Sequence, residues 1–184
     1  MTLYSIALFL HVVGALLLFV TITVEGVALR QLHRALTTES AQGAAVLLRL
    51  NRMVGPLSAI GVLIPGLYMT ATNWGLVAWI VVALVSWAVI AVLGAVNGIR
   101  ILALERSQAL LTGIRNPMVL ISWSIRVGIA LGVVFLMTVK PGAIVAVLAI
   151  LIGAASGAAL GTALSKVRPT PGSDGRHEEE GHVA

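Results

Sequence analysis

Long apolar runs separated by short polar or basic intervals set the pattern of this chain. The first, Thr2 to Leu29, holds about 28 residues and, as a helix, extends about 42 Å, more than the roughly 30 Å hydrocarbon core of a bilayer. Four further runs follow. The pattern predicts an all-α, polytopic transmembrane helical bundle with five spans at about 2–29, 53–72, 76–96, 118–139 and 143–164. These make one transmembrane domain over residues 1–164. The remainder, 165–184, has the proline, glycine and charge content of a disordered tail.

The intervals have their own chemistry. In the first, Arg30 to Arg52, Ala44, Leu47 and Leu48 fall near one helical face while Gln42, Arg49 and Arg52 fall on the other. That arrangement predicts a short helix, lying in the membrane interface or packed on the ends of the spans. Pro65, with Gly61 and Gly66 near it, predicts a kink in the second span. Asn73-Trp74-Gly75 makes a tight turn, with Trp74 and Trp79 at interfacial depth. The third helix is expected to continue past its span through Ile99–Leu111 and to end at Gly113. Asn116-Pro117 then reads as the N-cap and first-turn proline of the fourth span, and Lys140-Pro141-Gly142 as the turn into the fifth.

Composition excludes a water-soluble globule. Only 10% of residues are charged and 59% are hydrophobic, against roughly 25% charged in soluble domains. Cysteine is absent, which removes disulfides and thiolate sites. The net charge of +5 comes from basic residues scattered among the intervals, so it points to topology and anionic lipid and away from nucleic acid. Ten of these residues fall on one side: Arg30, Arg34, Arg49, Arg52, Arg100, Arg106, Arg115, Lys166, Arg168 and Arg176; the other side has Lys140. The positive-inside rule then places the amino terminus outside and the tail in the cytoplasm, with the opening run a retained span and not a signal peptide.

Few side chains within the spans can carry chemistry. His11 and Glu25 share the first, and Arg126 lies about 13 Å into the fourth. An unpaired arginine at that depth costs at least about 2.5 kcal/mol, and Glu25, the one acidic residue in any span, lies at matching depth. Glu25 and Arg126 are therefore expected to face each other, as a structural pair or as part of a polar site or proton path. His11, with Gly14 and Ala15 beside it, reads as a haem ligand, a proton shuttle, or a donor to a carbonyl across a helix interface. The spans hold no second histidine, so the other axial position of a haem b would be a methionine, a lysine, open, or His11 of a second copy. Ligands for zinc or a di-iron carboxylate centre are lacking. In the tail His177 and His182 bracket Glu178–Glu180, a pattern of solvated disorder and not of a metal site.

Glycines recur at four-residue spacing: Gly94 and Gly98, Gly128 and Gly132, and Gly153, Gly157 and Gly161. Such stripes let helix backbones approach closely, and the triple stripe also predicts a contact between subunits, in a homo-oligomer or a larger membrane complex.

The opening Leu10-His11-Val-Val-Gly14 and the segment from Arg126 through Phe135-Leu136-Met137 to Lys140-Pro141 resemble a bacterial family of small predicted integral membrane proteins of unknown function. The first span is also similar to those of the haem-associated protoporphyrinogen oxidase and copper-resistance D membrane families, where a histidine sits early in the first helix. The resemblance implies a haem or metal role for His11 and residence in a bacterial inner membrane. Three readings of function follow: a haem-b or quinone-associated redox subunit, a channel or carrier for a small solute or proton, and a structural subunit of a membrane complex.

Overall fold

The computed structural model describes residues 2–34, 38–106 and 117–166, with the side chains of 33–34, 38–42 and 104–106 outside that description. The tail from 167, including His177 and His182, and the interval 107–116, including Gly113, Arg115 and Asn116, lie outside the described residues. The described residues form five α-helices: α1 Leu3–Arg34, α2 Thr38–Met69, α3 Ala78–Arg106, α4 Pro117–Val139 and α5 Ala143–Lys166. All five are long and apolar enough to cross a membrane, and no strand occurs among the described residues. The protein is a multi-pass, all-α membrane bundle.

Two expectations change. No separate short helix occupies the first basic interval, because Thr38–Met69 is a single helix. Ala44 and Leu48 are buried among Ala28, Leu29 and Leu32 of α1, Ile101 of α3, and Val119 and Leu120 of α4, and this burial carries α2 beyond the apolar run. α2 stays helical through Pro56 and Pro65, and passes into a π turn at Thr70–Trp74. The other change is in α1, which extends past its apolar run to Arg34, whereas α3 continues past its span through Arg106 as expected.

The helices form two groups. α1 and α2 pack along each other as an antiparallel pair, and so do α4 and α5, with α3 laid against α4 and more lightly against α5. Between the groups the main contact is a narrow one of α1 with α4. Although only a short turn joins them, α2 and α3 do not pack along one another. At one end of the bundle the turns are tied together: Trp74 donates from Nε1 to the Tyr4 hydroxyl at 3.3 Å, meets Trp79 edge-on at 5.9 Å, and lies 4.2 Å under the Lys140 ammonium. Lys140 turns the chain with φ of 51°, and Gly75 does so with φ of 65°. The opposite end carries exposed Arg30, Arg49, Arg52, Arg100 and Lys166.

Candidate functional site

The α1–α4 contact is built from two anchors one helical turn apart. Arg126 donates from Nη1 to both Oε1 and Oε2 of Glu25, each at 2.8 Å, and each side chain is only 9% exposed. One turn along, the Trp123 indole N–H donates to the Ile22 carbonyl at 2.8 Å. Gly26 makes room for this indole, since a Cβ there would fall within the Trp123 ring. The structure thus brings Glu25 and Arg126 together. Trp123 and Gly26 were not singled out by the sequence; their signal is positional, since Trp123 precedes Arg126 by three and Gly26 adjoins Glu25.

All of Glu25's hold on Arg126 goes through Nη1. Nε is fully buried and has no partner, and Nη2 makes no hydrogen bond to the described residues. The guanidinium lies against Gly94, where a Cβ would sit 3.0 Å from Nη2, 3.1 Å from Cζ and 3.5 Å from Nε.

A cavity of about 550 Å³ opens between α1, α2 and α3, with Glu25 and Arg126 in its wall. Arg49 and Arg52 of α2 join them among the described residues. Gly94 and Gly98 line it too, and a Cβ at Gly98 would meet nothing within 4 Å. The expected helix-packing stripe on α3 is therefore a cavity wall. The α4 and α5 glycines do pack: Gly128 lies on the Gly153 backbone, Gly132 against Ala149 and Ile150, Gly157 on the Ser124 backbone, and Gly161 on Ile121 and Ser124. This face of α5 is filled by α4 of the same chain, so the stripe is not available to a second copy.

His11 lies at the other end of α1. Its Nδ1 is 2.8 Å from the Val62 carbonyl on α2, and because a carbonyl only accepts, Nδ1 carries the proton. The ring fills the notch left by Gly66, whose Cβ would lie 3.1 Å from Nδ1 and Cε1. Gly14 opens no slot for a porphyrin: a Cβ there would sit 2.6 Å from the Gly61 carbonyl carbon, because the α2 backbone already occupies that side. Among the described residues no group of three or more His, Cys, Asp or Glu could hold a metal ion.

Comparison with protein-family models, curated proteins and solved structures finds no match for the chain.

Proposed function

We propose that this membrane protein is a carrier for a small organic anion, which it binds in the cavity beside Arg126. One observation carries the reading: the guanidinium of the buried Glu25–Arg126 pair, with no partner on its Nε, stands in the wall of a cavity that Arg52 also lines. A largely desolvated guanidinium in a cavity wall is a binding element for an anion, because charge-assisted contacts strengthen away from water. The closed half of the bundle favours a carrier over a channel. Toward the aromatic end α1 and α2 meet backbone to backbone at Gly14 and Gly61, and Ala83, Leu136 and Ala146 close α3, α4 and α5 together. The cavity thus ends inside the membrane, as an alternating-access site does in one of its states. By the positive-inside rule its open, basic end faces the cytoplasm of a bacterial inner membrane.

The test is exchange of labelled lactate and of labelled methyl phosphate by the purified protein in neutral-lipid liposomes. Wild-type protein should exchange at least one of them above empty liposomes. The double variant Glu25→Gln, Arg126→Gln removes the site without leaving one buried charge unpaired, and it should lose the exchange. Equal rates in wild type, double variant and empty liposomes would overturn the carrier reading.

A further inference from the structure

The cavity is polarised along the membrane normal. Taking the Glu25–Arg126 pair as its middle, the α1–α2 register set by Gly14 on Gly61 puts Arg49 and Arg52 within about one helical turn of that level. Toward the bilayer centre the lining becomes largely apolar: Leu18 of α1, Ala59 and Ile60 of α2, and Trp87, Ile90 and Ala91 of α3, with Thr21 of α1 donating its hydroxyl proton to the Leu18 carbonyl. From Gly94 to Trp87 is seven residues of helix, so this apolar extension runs about 10 Å beyond the ion pair. The cavity also reaches the lipid-facing surface. Ile60 on α2 and Ile99 on α3 both line it, yet are 50% and 68% exposed, and the helices that bear them do not pack along one another.

A charged region toward the basic surface and an apolar region toward the midplane match the way a bilayer amphiphile stands in that leaflet. We propose that the anion is a single-chain carboxylate amphiphile of the fatty-acid class, taken sideways from the bilayer between α2 and α3. This rests on the carrier reading and names its substrate. The carboxylate meets the Arg126 guanidinium from the cavity, in a charge-assisted contact. The chain lies along Trp87, Ile90 and Ile60. The cavity falls within the roughly 300–1,000 Å³ range of sites for one small ligand, which suits one chain. Because head and tail already have the leaflet orientation, entry requires no inversion of the ligand.

The experiment uses the full chain in phosphatidylcholine nanodiscs, with dibromostearate as the probe, because bromine quenches tryptophan on contact. Expected is a saturable loss of fluorescence that disappears in Trp87→Phe. The methyl ester of the same acid partitions into lipid but lacks the charge, and its saturable quenching should be weaker by about tenfold, the loss of one charge-assisted contact. Gly98→Leu fills the cavity from a position where added atoms meet open space, so it should keep the wild-type melting temperature and lose the saturable component. Gly55→Leu, also open at its Cβ and lining the same cavity, serves as a second filling variant. Quenching that does not saturate, that is equal for acid and ester, or that survives both filling variants would overturn the proposal. If lactate or methyl phosphate still exchanges in that case, the carrier stands with a different substrate. If neither does, the carrier reading falls with it.

Discussion

At the scale of single residues, the molecule depends on one desolvated charge pair. Removing one member leaves the other charged and buried, which is destabilising by about 3–5 kcal/mol, whereas removing both together is far less harmful. Glu25→Gln should therefore lower the stability of the detergent-solubilised protein substantially, and adding Arg126→Leu should recover part of that loss. Strictly additive losses in a double-mutant cycle would show that the contact contributes nothing of its own. A second buried polar residue behaves differently. Asn97 is 1% exposed, and neither Nδ2 nor Oδ1 has a partner. Asn97→Leu, nearly isosteric, should raise stability by about 1–2 kcal/mol by removing two unsatisfied groups, as a thermal melt would show. The pair was legible in the sequence because charges in a span are rare and must find each other. The unpartnered Nε of Arg126 was not, because it depends on which nitrogen Glu25 takes.

At the scale of elements, two glycine patterns with the same spacing do opposite things. Gly157 on α5 lies on the Ser124 backbone of α4, while Gly98 on α3 faces open space. Gly157→Leu should push α4 and α5 apart and destabilise by about 1–3 kcal/mol or more, while Gly98→Leu should leave the melting temperature nearly unchanged. Equal effects would place both glycines in the same environment. Spacing alone cannot separate the two cases, since four-residue periodicity specifies a face and not what lies opposite it. The same limit applies to α2. The apolar run marks the membrane-buried part, and the helix extends to Thr38 because Ala44 and Leu48 find partners on α1, α3 and α4. His11 is the converse case: its bond to a carbonyl across the helix interface was among the readings the sequence offered, and the packing of Gly14 on Gly61 is what distinguishes it.

At the scale of the whole molecule, the five spans were legible from length and apolarity, and the separation into a basic and an aromatic end from the distribution of Arg, Lys and Trp. The separation of α2 from α3 was not, because a short turn ordinarily joins neighbours that pack. Reporter fusions near Ser40 and after Lys166 should both report the cytoplasm; a signal from the opposite compartment at either position would reverse the proposed orientation.

The α1–α4 junction also has a consequence in time. Its partners are 101 residues apart in the chain. At about 5–20 residues per second, the ribosome needs roughly 5–20 s to add that length. For that interval Glu25 waits in the nascent protein without its arginine, while α1 and α2 can already pair with each other. A chain that stops after α3 never acquires Arg126, and keeps an acidic side chain within the bilayer as a mark by which quality control can recognise unfinished assembly.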